Sequence, residues 1–257
     1  MCGLSTLFEQ PTHGEIPMIK KLAIAISAAA ALGSASLAQA EAFDTPVGEL
    51  HVSMGVTLAT DYIWRGQSQT AGTGAVQGSL DIGHSSGLYI GTWASNVDAD
   101  AFGGSVEIDY YVGYGSSITD DISYDLSWNT YTYPNSGGDN VDEWVLGFDL
   151  YGLSLTSKYA YEPSSSLYLS VGYGFELPYD MGLGLHFGQT DTKDPLSAFQ
   201  SKEKYNDWAV TLSKTVLGLD MALMYSDTNL KGGTCAAWYG KSSYCDSNVT
   251  FSVSKSL

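Results

Sequence analysis

The sequence feature that most limits the fold of this chain is an alternation of apolar with small or polar side chains. Residues 50–65 keep this period of two throughout. A period of two is typical of a β-strand, because successive side chains point to opposite faces. The alternation recurs along the chain and predicts strands at residues 50–65, 75–83, 87–96, 105–115, 122–133, 141–150, 153–161, 166–176, 181–189, 207–214, 217–227 and 248–257. The chain is therefore predicted to be all-β.

The lengths of these segments and of their connections favour a transmembrane barrel. Many segments have roughly the 9–11 residues that a tilted strand needs to cross a bilayer. Most connections between these segments alternate in length, and the connection 162–165 is the exception. The short connections are 83–87, 116–121, 151–152, 177–180 and 215–216. The longer ones are 66–74, 97–104, 134–140, 190–206 and 228–247. Short turns at one end and long loops at the other are typical of outer-membrane barrels. We therefore predict an antiparallel up-and-down β-barrel of about 12 strands with both termini periplasmic.

A soluble β-sandwich would show the same alternation, since one face of each strand would pack inward and the other would meet water. In this sequence the polar face carries many glycines and the apolar face carries almost no charge. Aromatic residues also cluster at predicted strand ends, as the interfacial girdles of barrels require; Tyr62, Trp64, Tyr131 and Tyr133 are examples. A barrel with lipid outside and water inside is favoured.

The N-terminal region has the three parts of an export signal. Residues 18–21 carry two lysines, residues 22–32 are apolar, and Ala38-Gln39-Ala40 is a small-residue cleavage site. We predict an upstream start-site extension over residues 1–17, a signal peptide over 18–40 that is cleaved after Ala40, and a single outer-membrane barrel domain over 41–257.

The net charge of −17 excludes a nucleic-acid partner, since phosphate binding needs a cationic surface. By alternation, eight acidic side chains face the predicted lumen, and Arg65, Lys158 and His186 face it as well. The predicted lining residues are Asp61, Arg65, Asp81, Glu107, Asp109, Asp125, Glu143, Asp149, Lys158, His186 and Asp220. These charges either pair within a plugged interior or line a cation-preferring pore. Arg65, the sole arginine of the chain, forms either a structural ion pair or a constriction.

Two motifs resemble those of a catalytic site and of a metal site. Neither has the neighbouring residues that such a site requires. Residues 83–87 match the G-x-S-x-G pattern of serine hydrolases, but the flanking pattern is strand–turn–strand. Residues 96–100 resemble the start of a calcium loop, but Ala101 stands where glycine is required. His186 has no identifiable carboxylate or serine partner. We predict no enzyme activity, no metal site and no cofactor.

Cys235 and Cys245 are the cysteines that remain after the predicted cleavage, because Cys2 lies in the leader. They lie ten positions apart in a glycine-containing loop of an exported protein. Such a pair predicts a local disulfide.

Residues 53–70 (SMGVTLATDYIWRGQSQT), 75–98, 107–114 (EIDYYVGY) and 131–134 (YTYP) resemble the TorF family of porins. The resemblance covers essentially the whole predicted mature chain. It implies an outer-membrane β-barrel of Gram-negative bacteria and identifies neither a solute nor catalytic residues. The expected function is passive diffusion of small polar solutes, and the expected partners are those solutes, membrane lipid and lipopolysaccharide. The alternative is a non-conducting barrel that acts in structure, adhesion or partner binding through its long loops.

Overall fold

The computed structural model describes residues 41–192 and 204–257. Within them twelve long strands form an antiparallel barrel. The strands are β1 Gly48–Ala59, β2 Ala75–His84, β3 Leu88–Asn96, β4 Val106–Thr119, β5 Ile122–Thr132, β6 Val141–Leu150, β7 Leu153–Glu162, β8 Ser166–Leu177, β9 Met181–Thr192, β10 Lys204–Val216, β11 Leu219–Thr228 and β12 Asn248–Ser256. The predicted leader and residues 193–203 of the predicted loop 190–206 lie outside the described residues.

Each strand pairs with its neighbours in sequence, and β12 pairs with β1 to close the sheet. The closing register joins Ser252 to Ala59 at one end and Ser256 to Gly55 at the other. A closed sheet has no free edge, so every strand finds backbone partners on both sides. An additional strand, Glu41–Thr45, folds back on the first half of β1. The predicted all-β, twelve-stranded barrel is confirmed.

Burial in this barrel is the reverse of that in a soluble protein. On β1 the side chains of Met54, Val56 and Leu58 are about half exposed, whereas Ser53 is buried. The other strands repeat the pattern, with leucine, valine and aromatic residues outside and polar residues inside. An apolar band around the whole circumference would be insoluble in water, and it matches the requirement for contact with lipid.

Among the described residues, the helices lie in the connections between strands. The four-residue helix α1 (Ala99–Phe102) lies between β3 and β4, and α2 (Gly232–Tyr239) lies between β11 and β12. Neither these helices nor any other part of residues 41–192 and 204–257 forms a helix long and apolar enough to cross a bilayer.

The predicted first strand is too long at its C-terminal end. β1 stops at Ala59, and residues 60–74 turn into the barrel; we call them the constriction segment. Arg65 and Gly66 have positive φ angles of 49° and 79°, which form a turn that a regular strand cannot contain. Tyr62 therefore lies inside the barrel and does not belong to an interfacial girdle. Tyr131, on β5, also faces inward and is buried.

The disulfide between Cys235 and Cys245 is formed, with a Cα–Cα distance of 5.9 Å, as predicted. Both cysteines are fully buried, and they pack with Tyr205, Leu230 and Trp238 in a small apolar core beside the end of the barrel. This core fixes the loop between β11 and β12, which contains α2.

Replacing Cys235 and Cys245 together by serine is expected to loosen this loop without unfolding the barrel. A disulfide that closes so short a loop stabilises it by about 2–3 kcal/mol. Hydrogen exchange of residues 230–247 should therefore be roughly a hundred-fold faster in the variant. A reductant should reproduce the change in the wild type and have no effect on the variant. Loss of the heat-modifiable gel mobility of the folded barrel would contradict the expectation.

Candidate functional site

The constriction segment is held inside the lumen by its own side chains. Asp61 accepts hydrogen bonds from the hydroxyls of Ser68 and Thr70, both at 2.7 Å, and from the amide of Asn248 at 2.5 Å. The backbone amide of Gln69 donates to the Tyr62 carbonyl at 2.7 Å. These bonds close the segment into a compact hairpin and attach it to β12.

The tip of this hairpin reaches the far wall of the barrel. The Arg65 guanidinium donates to the Glu143 carboxylate on β6, five strands away from β1 around the sheet. The Tyr131 hydroxyl donates to the other oxygen of Glu143 at 2.7 Å. The Arg65 guanidinium also lies 4.6 Å from the centre of the Tyr168 ring on β8. The segment therefore crosses the lumen.

At Gly66 the same tip also lies close to strands β10 and β11 of the barrel wall. A Cβ atom at this position would lie 2.7 Å from the Cβ of Asp207 on β10 and 3.1 Å from the Cβ of Thr228 on β11. The φ angle of 79° also favours glycine. The segment therefore touches β6, β10 and β11 at one level.

The predicted lining residues fall into two groups by depth. Beside the constriction segment, Asp61, Glu107, Asp109, Glu143 and Lys158 are each at least nine-tenths buried. The remaining predicted acids lie toward the short-turn end of the barrel. These acids and their hydrogen-bond partners are less buried than the residues beside the constriction segment. Asp81 accepts from Tyr111, Asp125 accepts from Tyr89, Asp220 accepts from Thr215, and Asp149 is exposed.

His186 has partners that the sequence reasoning missed. Its Nε2 atom lies 2.9 Å from Asp207 and 3.0 Å from the Tyr168 hydroxyl. The expectation of an unpartnered histidine was wrong. Asp207 was missed because the predicted strand began at that residue. Since β10 begins at Lys204 and Trp208 points outward, alternation places Asp207 inside.

The two chemical motifs of the sequence have ordinary structural surroundings. The G-x-S-x-G residues form the turn between β2 and β3, where the Ser85 hydroxyl accepts from the Glu49 amide at 3.1 Å. A hydrolase elbow would instead join a strand to a helix. In the acidic loop, Lys241 contacts Asp100 at 2.7 Å and Asp98 at 3.4 Å. Within residues 41–192 and 204–257 no three His, Cys, Asp or Glu side chains cluster as metal ligands do.

The long loops contact each other across one end of the barrel. The Tyr244 hydroxyl, in the loop between β11 and β12, donates to Asp98, in the loop between β3 and β4. This bond, with the Asp100 amide and Lys241, lowers the pKa of the Asp98 carboxyl. The Asp98 amide in turn donates to the Gln69 carbonyl at 2.8 Å. The two loops and the constriction segment form one connected structure.

A cavity of about 210 Å³ lies between this structure and the barrel wall. Aromatic side chains from several parts of the chain line it, among them Trp64, Phe102, Tyr133 and Tyr239. Glu107, Glu143 and Arg65 line it as well. The cavity lies at the long-loop end, beside the level of Arg65.

The buried charges around the constriction segment do not balance. Of the described residues, five buried carboxylates and two cations lie here: Asp61, Glu107, Asp109, Glu143 and Asp207 against Arg65 and Lys158. The formal sum of these five carboxylates and two cations is −3.

The fold is similar to solved porin structures. The NanC porin is 9% identical with a TM-score of 0.53, and the alignment covers 78% of this chain and 97% of that chain. The KdgM porin is 7% identical with a TM-score of 0.50 and coverages of 80% and 98%. A second KdgM structure, solved with disordered oligogalacturonate, has a TM-score of 0.51 at 7% identity, again covering 80% and 98%.

No curated protein matches the sequence. A family model does match, over residues 43–257, and it is described as a bacterial protein of unknown function. The match spans all twelve strands of the barrel. This chain belongs to the Gcw_chp family.

Proposed function

We propose that this protein is an outer-membrane porin, a passive channel that passes small polar solutes and prefers cations. The observation that carries the proposal is the constriction segment. It crosses the lumen of a closed barrel at a level where five carboxylates and two cations are buried. Twelve strands should enclose a narrow pore, between the filled eight-stranded and the wide 16–18-stranded barrels.

Several features support the location. The outward face of the strands is apolar, as contact with lipid requires. The sequence resemblance to the TorF family of porins and the signal-like residues 18–40 agree with export to the outer membrane. Cleavage after Ala40 and periplasmic termini are part of the same proposal.

The charge of the lumen argues for a solute class different from that found with KdgM. Oligogalacturonate, present in one KdgM structure, is a polyanion. The excess of carboxylates in this barrel should repel a polyanion and concentrate cations. Neutral and cationic solutes are therefore the proposed cargo.

One observation favours the alternative of a non-conducting barrel. The constriction segment, the loop between β3 and β4 and the loop between β11 and β12 are joined to one another at the long-loop end by hydrogen bonds and ion pairs. Purified protein in a planar bilayer separates the two functions. Stepwise single-channel currents are expected. Folded, inserted barrels without currents would reject the channel and favour a structural or adhesive role.

The topology is tested by single cysteines in a background that lacks Cys235 and Cys245. Asp139 and Asp120 are both exposed and lie at opposite ends of the barrel. With the long loops outside the cell, Asp139→Cys should react with an impermeant thiol reagent on intact cells, and Asp120→Cys should react only after lysis. The opposite pattern would reverse the topology.

A further inference from the structure

The cavity at the long-loop end has the composition of a cation-binding pocket. Trp64, Phe102, Tyr133 and Tyr239 form part of its walls, and each of these residues is only partly buried. Phe102 and Tyr133 are stacked, with ring centres 4.9 Å apart. We call these four rings, with Glu107 and Glu143, the aromatic vestibule.

The two carboxylates give the vestibule a negative side. The Tyr62 hydroxyl donates to Glu107 at 2.9 Å, and the Tyr131 hydroxyl donates to Glu143 at 2.7 Å. Arg65 is the cation among the lining residues and is paired with Glu143. The formal charge of the lining is therefore −1, which opposes an anionic ligand.

Two cationic side chains of the protein lie close to an aromatic ring of the vestibule. The Lys158 ammonium lies 4.4 Å from the centre of the Trp64 ring, and the Arg65 guanidinium lies 5.0 Å from it. A cation over an aromatic face within about 6 Å is attracted by the ring quadrupole, more strongly where water is excluded. Among the described residues, these two cations lie at the Trp64 ring and no cation lies over Phe102, Tyr133 or Tyr239, so these three rings are the ones left for a bound cation.

We propose that the aromatic vestibule binds a small organic cation of the substituted-ammonium class. Its volume of about 210 Å³ is below the roughly 300–1,000 Å³ of pockets for drug-sized ligands, so a compact ligand fits best. The proposal deepens the proposed channel function, since the vestibule lies beside the constriction segment and would select the solute before passage.

Calorimetric titration of the folded protein in detergent tests the site without requiring conduction. Choline is the probe, and its uncharged isostere, in which a carbon atom replaces the nitrogen, is the control ligand. We expect saturable binding of choline and much weaker binding of the isostere. Phe102→Leu and Tyr239→Leu should each weaken choline binding by about three- to thirty-fold, because each removes one aromatic face.

Tyr110→Leu is the matched control variant, since Tyr110 is half exposed on the outer wall; its affinity should be unchanged. Equal binding of choline and the isostere, or no saturable binding of choline by the wild type, would overturn the proposal even if a variant failed to fold. Choline binding without single-channel currents would preserve the site and reject the channel. Single-channel currents without choline binding would support the channel and reject the binding site.

Discussion

Replacing Arg65 by alanine is expected to at least double the single-channel conductance, because it releases the tip of the constriction segment. Arg65 joins this tip to Glu143 on the far wall, and both side chains are almost completely buried. Breaking a buried ion pair by removing one partner costs about 3–5 kcal/mol, since the remaining charge is left uncompensated. The contacts with Trp64 and Tyr168 are lost as well.

A second variant tests the same segment without changing any charge. Gly66→Val would place a Cβ atom 2.7 Å from that of Asp207 at a φ angle that valine disfavours. The tip must then move away from β10 and β11. The conductance should rise here as well, whereas Asp139→Asn on an exposed loop should leave it unchanged. Wild-type conductance in both Arg65→Ala and Gly66→Val would show that the segment does not limit the current.

Neutralising three buried carboxylates is expected to abolish cation selectivity. The triple variant Glu107→Gln, Asp109→Asn and Asp207→Asn changes the formal charge around the constriction segment from −3 to zero. The wild type should pass cations roughly tenfold or more in preference to anions at low salt. The preference should weaken as salt rises, because the screening length falls from about 30 Å at 0.01 M to about 10 Å at 0.1 M.

Reversal potentials across a salt gradient measure this preference. The wild-type potential should take the sign of a cation-selective pore, and that of the triple variant should approach zero. Heat-modifiable gel mobility verifies folding. Asp81→Asn with Asp125→Asn provides a milder variant toward the short-turn end of the barrel, where a partial loss of selectivity is expected. Anion preference in the wild type would refute the charge argument.

The strands could be predicted from the sequence because each is decided by a local rule. The alternation of Met54, Val56 and Leu58 with small residues requires one face toward lipid and one toward the lumen, whatever the neighbouring strands are. The same rule placed Glu107, Asp109 and Lys158 inside, where the structure has them. The disulfide followed from cysteine spacing and compartment.

The constriction segment could not be predicted in this way. Alternation continues past Ala59 through Trp64, so the local pattern favours further strand. The segment turns inward because Asp61 finds donors on Ser68, Thr70 and the distant Asn248. Burying these polar groups is acceptable only when all of them are paired, and the pairing depends on the closure of β12 against β1.

The sequence by itself determined the barrel, its strand number and the sign of the charge inside it, because period, connection length and composition are properties of short segments. The tertiary structure alone decided that Arg65 meets Glu143 and that His186 meets Asp207. Both pairs join residues from different elements. The contact of Arg65 with Glu143 exists only after the sheet has closed, since closure brings β6 within reach of the constriction segment. The contact of His186 with Asp207 depends on the pairing register of the neighbouring strands β9 and β10.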